Sequence, residues 1–169
     1  ISADAPYLFA LSEVHPFYNV TAVDWIGRNM PNIKTAAIAT QNDELGLSSQ
    51  ATYRAAFEVA GIEVIEENLF GFEVTDFAPV VSKLIAANPD VITWDTAYPD
   101  YVNLLTEQAY LQGYKGTIVN CTLDQYEHIL GKTSKDFMEG FLWQFPDLDD
   151  PIMQGGDTHF DNAAAFYKT

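Results

Sequence analysis

The chain has 169 residues, 48% hydrophobic and 14% aromatic, which is enough for one domain with a core of its own. Its 24 acidic and 8 basic side chains leave a net charge of −16, too few cations to neutralise nucleic-acid phosphates or to hold an anionic membrane surface. No stretch approaches ~20 consecutive apolar residues, so a membrane-spanning helix is excluded, and Cys121, as the lone cysteine, leaves no internal disulfide.

Taken in chain order, strands and helices alternate. Tyr7–Leu11 reads as a strand and Phe17–Met30 as a helix. Lys34–Thr40 is a strand, Leu45–Ala60 a helix, and Gly61 a helix-ending glycine. Ile62–Leu69 reads as a strand with Ile62 and Val64 on one face and Glu63 and Ile65 on the other. Asp76–Asn88 has apolar residues at helical spacing (Phe77, Val80, Val81, Leu84, Ile85), with Thr75 or Asp76 as cap and Asn88-Pro89 as stop. Val91–Trp94 is a short buried strand, and Tyr101–Gln112 a helix with Val102, Leu105 and Ala109 on one stripe. Thr117–Asn120 is a strand, Asp124–Leu130 a short helix, Phe141–Phe145 a strand and Phe160–Tyr167 the start of a helix. Phe145–Gly156, with Pro146, Pro151 and three aspartates, is the one linker-like stretch.

This alternation predicts an α/β fold, a three-layer sandwich with a mostly parallel sheet and helices on both faces. Residues 1–169 are expected to form a single α/β lobe. Both ends read as cut from a longer chain, because the last helix has barely begun before Thr169 and Ile1–Pro6 lead at once into a strand.

Enzyme motifs are weak. Gly131-Lys132-Thr133 looks like the tail of a phosphate-binding loop, but Tyr126 stands where the first glycine must let backbone amides wrap the phosphates. There is no G-x-G-x-x-G after a strand and no G-x-S-x-G nucleophile elbow. His15, His128 and His159 lack metal-ligand spacing, and Asp147-Leu148-Asp149-Asp150 is followed by Pro151 and Ile152 where a calcium loop needs glycine. The chain is expected to be no enzyme and to use no cofactor or metal.

The loops that follow strands are the better candidates, since parallel α/β sheets bind ligands outside the carboxyl ends of their strands. They carry Ser12, Glu13, Phe17 and Tyr18; Asn42, Asp43 and Leu45; Asp95, Thr96, Ala97 and Tyr98; and Cys121, Thr122 and Asp124. Carboxylates beside aromatic faces suit an ammonium group, through charge and cation–π attraction. The plainer alternatives are that Asp43 and Asp124 cap helices, that Tyr98-Pro99 shapes a turn, and that Phe17 and Tyr18 are core.

Several segments resemble one family. Asn42-Asp43-Glu44-Leu45-Gly46, Ala60-Gly61-Ile62-Glu63-Val64, Thr75-Asp76-Phe77-Ala78-Pro79, Asn88-Pro89-Asp90-Val91-Ile92 and Gly140-Phe141-Leu142 keep the order and spacing of type I periplasmic binding proteins, in the leucine/isoleucine/valine-binding branch that serves ABC importers. The resemblance implies two α/β lobes around a ligand cleft, of which this chain is the carboxyl-terminal one. It implies a small-molecule ligand, a membrane permease as partner, no covalent chemistry, and a periplasmic or cell-surface lipoprotein location. It also implies that Tyr98 offers its ring to a ligand ammonium. The loop Asn120-Cys121-Thr122 matches the one where amino-acid binders offer a glutamate. None stands here, which leaves Asp95 or Asp124 as substitutes. Phe17, Tyr18, Trp94, Tyr98 and Trp143 leave a flatter ligand, such as an aromatic acid, open. A sensor of the same fold is the second reading. Two N-x-T sequons, at Asn19 and Asn120, are read as chance.

Overall fold

The computed structural model describes residues 15–95, 97–120 and 126–143. The strand expected at Tyr7–Leu11, the stretch Phe145–Gly156 and the helix at Phe160–Tyr167 lie outside them. The elements are α1 (His15–Asn29), β1 (Thr35–Gln41), α2 (Glu44–Val59), β2 (Glu63–Phe70), α3 (Ala78–Ala86), β3 (Val91–Thr93), α4 (Pro99–Leu111), β4 (Thr117–Asn120), α5 (Tyr126–Lys132), α6 (Lys135–Met138) and β5 (Phe141–Trp143).

The strands form one sheet in the order β2-β1-β3-β4-β5, parallel throughout. Alternate residues of β1 face opposite helix layers, as the period of two requires. Ala36 and Ile38 pack with Val23 and Ile26 of α1 and Tyr53 and Phe57 of α2. Ala37 and Ala39 pack with Val81 and Leu84 of α3 and Val102 and Leu105 of α4. The three layers expected from the alternation are therefore present. The small side chains of β1 suit a central strand buried on both faces.

Local chemistry sets the boundaries. Gly61 takes φ 72° after α2, and the amide of Ile62 then reaches back 2.9 Å to the carbonyl of Phe57. Asn88, at φ 56°, plays the same part after α3. Three expectations need correction. Helix α3 begins at Ala78, with Phe77 at the cap position. Pro79 fills an early helical position that needs no donor, and Asp76 reaches past Phe77 to accept from the Ala78 amide at 2.9 Å. Helix α4 starts two residues earlier than its apolar stripe suggested, because Pro99 is pre-set for a first turn. In β2 the simple alternation breaks at a bulge. Val64 pairs with Ala36 and Glu66 with Ala37, which leaves Ile65 as the extra residue. Glu66 then meets Lys83 of α3 at 2.8 Å, and Glu67 meets Arg54 of α2 at 2.8 Å. Such exposed pairs add at most about 1 kcal/mol each, but charge on an outer strand discourages pairing with another sheet. The short helix α6, capped by Ser134, was not expected from the sequence.

Both sequon asparagines are buried, and Asn19 Nδ2 donates to Ser49 Oγ at 3.1 Å, so neither is presented for glycosylation.

The amino ends of the strands are tied by Asp90. Its Oδ2 accepts from the amides of Lys34 (2.8 Å) and Thr35 (3.0 Å) and from the Thr35 hydroxyl (3.0 Å). The Lys34 amide bond is the main cause holding the carboxyl below its usual range; burial opposes it, and the Thr35 bonds and Lys34 charge add to it. A depressed carboxyl stabilises the fold fully above its unfolded value, near pH ~4, and the contribution fades as pH falls through the folded one. Asp90→Asn is expected to cost about 1–2 kcal/mol at neutral pH and to flatten the acid limb of stability against pH, as read by denaturant titrations from pH 2 to 7.

Candidate functional site

Strands β1 and β3 are neighbours, but their following helices lead opposite ways, α2 toward β2 and α4 toward β4. Their last pairing is Ile38 with Thr93, and from Ala39 to Gln41 β1 continues with β2 alone. A crevice opens between the two carboxyl ends, which is where open α/β sheets take their ligands.

On the β1 side, Asp43 is the cap of α2. Its Oδ1 accepts from the Gly46 amide at 2.7 Å, so the capping alternative is correct for Asp43. Gly46 lets the first turn of α2 lie against the strand end, since a Cβ there would overlap the carbonyl of Gln41. Leu45 projects from that turn and is half exposed. On the β3 side, Asp95 is fully buried, and Tyr53 of α2 donates its hydroxyl to Asp95 Oδ2 at 3.0 Å. Ala97 is buried in the core beside α4. Tyr98 is 55% exposed.

Sequence reading missed two residues here. Gln41, only 1% exposed, accepts from the Tyr98 amide through Oε1 at 2.6 Å and donates through Nε2 to Asp43 Oδ2 at 3.4 Å. Its place as the last polar residue of an apolar strand was the available signal. Phe72, 50% exposed in the loop after β2, has its ring 5.9 Å from that of Tyr98. Tyr101 backs both: its ring lies 5.9 Å from Tyr98, and its hydroxyl donates to the Phe72 carbonyl at 3.3 Å. Phe77 and Phe70 continue the ring contacts into the core: Phe77 lies 5.2 Å from both Tyr101 and Phe70, and Phe70 lies 6.1 Å from Tyr101. Nothing in strand periodicity marks Phe72, because it lies in a loop.

Trp94, expected among the cleft aromatics, is fully buried in the core instead, on the same sheet face as Ile92. Its Nε1 has no hydrogen-bond partner among the described residues. Phe17 and Tyr18 lie on the first turns of α1, and Trp143 ends β5. Ser12, Glu13, Thr96, Cys121, Thr122 and Asp124 lie outside the described residues.

The charge at this edge has one sign. The loops after β1, β2 and β3 carry Asp43, Glu73, Asp76 and Asp95 and, among the described residues, no lysine or arginine. A groove of about 880 Å³ does exist elsewhere, between α1 and α2, lined by Val20, Gly27, Ala51, Ala55 and Val59 among others, away from the strand ends. Among the described residues no three metal-ligating side chains cluster, and no helix is long and apolar enough to cross a membrane.

Parted parallel strands beneath an acidic, aromatic edge define a ligand-binding α/β fold. Residues 2–165 match the family described as periplasmic binding protein, and the chain belongs to that family, of type I. An extracellular ligand-binding receptor from Rhodopseudomonas palustris shares the fold with a TM-score of 0.80 at 22% identity, over 99% of this chain and 46% of that one. A leucine-, isoleucine-, valine-, threonine- and alanine-binding protein from Brucella ovis, in its closed conformation, aligns at 25% identity and a TM-score of 0.67, over 77% of this chain and 33% of that one. A solute-binding protein of an ABC transporter from Rhodopseudomonas palustris BisB5, in complex with 3,4-dihydroxy benzoic acid, gives 22% identity and 0.60, over 69% and 32%. The chain thus spans less than half the length of these structures. No curated protein matches its sequence.

Gly46→Ala is expected to destabilise the fold by at least about 2 kcal/mol, because the added methyl meets backbone and not a flexible side chain. Chemical unfolding midpoints of the two proteins measure this directly.

Proposed function

We propose that this chain is one lobe of an extracytoplasmic solute-binding protein serving an ABC importer. A second lobe closes on it, and the ligand held between them is an amino acid or a related small carboxylate. The observation that carries this reading is the edge itself. In a periplasmic binding protein fold, the loop after β3 carries the exposed Tyr98 and the buried Asp95, and the loops after β1, β2 and β3 hold acids and, among the described residues, no lysine or arginine. That edge suits the ammonium end of a ligand, since Tyr98 offers a ring face and the carboxylates a negative field. It repels the carboxylate end, which falls to backbone amides or to the facing lobe. Closure of the lobes on the ligand is what a permease would read.

A flat aromatic ligand is the second reading. It is favoured by the half-exposed Phe72–Tyr98 pair and by the relative solved with 3,4-dihydroxy benzoic acid. A ligand-sensing receptor is the third reading, favoured by the likeness to an extracellular ligand-binding receptor from Rhodopseudomonas palustris.

Thermal shift of the full-length protein against amino acids, aliphatic amides and aromatic acids separates these readings. A ligand at ~1,000 times its dissociation constant adds about 4 kcal/mol, an easily seen rise in Tm. Stabilisation by amino acids, followed by ATP-dependent uptake into vesicles that carry this protein, is the expected result. Stabilisation by aromatic acids alone moves the ligand class, and none across the panel removes the importer reading. With a cationic ligand, Tyr98→Ala is expected to weaken binding about 3- to 30-fold by calorimetry, and Tyr98→Phe by much less, because the ring face and not the hydroxyl is used.

A further inference from the structure

We propose that Gln41 is the positioning residue of the ligand edge. Its buried carboxamide bridges the crevice and makes the Asp43 loop and the Tyr98 loop one rigid unit. This rests on the reading of Tyr98 as a ligand contact.

The sheet cannot do this by itself. Backbone pairing between β1 and β3 stops at Ile38 and Thr93, three residues short of the end of β1. The loops that follow lead to helices on opposite faces. The backbone bond from the Asn42 amide goes to Phe70 of β2, at 2.8 Å, and does nothing for the β3 side. Across the opening the Gln41 side chain provides the link that reaches Tyr98. The Tyr53–Asp95 bond provides another, deeper one.

The chemistry singles out glutamine. On one side stands the Tyr98 amide, a donor; on the other stands the Asp43 carboxylate, an acceptor. Only a carboxamide faces an oxygen to the first and an N–H to the second, and only one orientation of it satisfies both. Glutamate would keep the first bond and set two carboxylates side by side at the second. Methionine fills the space and makes neither. Asp43 has little freedom left, because Gly46 holds its other oxygen. The backbone of Gln41 is fixed in turn by the close approach of Gly46. A shift of the α2 start is therefore passed through Gln41 to the backbone that carries the Tyr98 ring.

The test uses the full chain with Gln41→Met and Gln41→Glu. Amide hydrogen exchange is read at Tyr98, Gly46 and, as a core reference, Ile92, and calorimetry is done with leucine, phenylalanine and benzoate. In Gln41→Met the Tyr98 amide is expected to exchange about tenfold faster while Ile92 is unchanged, and the best of the three probes binds about tenfold more weakly. In a Tyr98→Ala background the same substitution costs no further affinity. If Gln41→Met does not fold, Gln41→Glu decides: Tyr98 keeps its protection and Gly46 loses it, because the Asp43 cap is repelled. Unchanged exchange at both amides overturns the proposal, as does an affinity loss that persists without the Tyr98 ring. If the unaltered protein binds none of the three probes, the ligand reading falls. The Tyr98 exchange rate then still decides whether the two loops are coupled.

Discussion

The parting of β1 from β3 is the constraint on which the rest of the molecule turns. Up to Ile38 and Thr93 the two strands share a hydrogen-bonded ladder. Past that point their chains must diverge, because one crossover runs to β2 and the other to β4. Every polar backbone group freed by the divergence needs a new partner. The structure meets this with side chains, Asp43 for the start of α2 and Gln41 for the Tyr98 amide, while the Tyr53 hydroxyl donates to the Asp95 carboxylate beside them. Polar residues are thus drawn into one edge of an otherwise apolar sheet, the edge at which open α/β sheets take their ligands.

The two ends of the sheet use this chemistry differently. At the amino ends Asp90 commits its Oδ2 to backbone and hydroxyl donors of its neighbours, and Tyr114 is buried beside it, with its phenol pushed above its ordinary range by burial and by the Asp90 charge. That end is closed. At the carboxyl ends the rings of Phe77, Phe70 and Tyr101 carry packing out from the core to Tyr98 and Phe72, which keep half their surface exposed. Each ring contact of this kind is worth about 0.5–1.5 kcal/mol, so the exposed pair is held on a stiff support and not on a free loop. A rigid aromatic surface loses little entropy when a ligand orders it, which favours binding.

Much of the architecture was legible in the sequence. Apolar runs such as Ala36–Ala39 and Val91–Thr93, each followed by a helical stripe, are enough to assign parallel strands, since burial on both faces removes the alternation of an exposed sheet. Gly61 could be assigned as the end of α2 because a positive φ costs glycine least. The bulge at Ile65 could not, because it depends on how β2 sits against β1. The start of α3 was misplaced for a similar reason: Thr75 and Asp76 are both competent caps, and three-dimensional packing chose a turn in which Asp76 bonds from outside the helix.

At the site, sequence alone determined the residue types that the strand-ending loops carry and the sign of their charge, because both follow from where apolar runs stop. It could place Asp43, Asp95 and Tyr98 at one edge. Tertiary structure decided what each does there. Asp43 and Asp95 are adjacent to the crevice in sequence terms, yet one is committed to a helix start and the other to a tyrosine from α2, 42 positions away in the chain. Trp94 points into the core although it directly precedes Asp95. Gln41 and Phe72 acquire roles only through contacts with Tyr98, 57 and 26 residues further on. Local pattern encodes which face of a strand is apolar. It cannot encode which distant donor will meet a buried carboxamide, since that depends on how the separate crossovers bring their loops together.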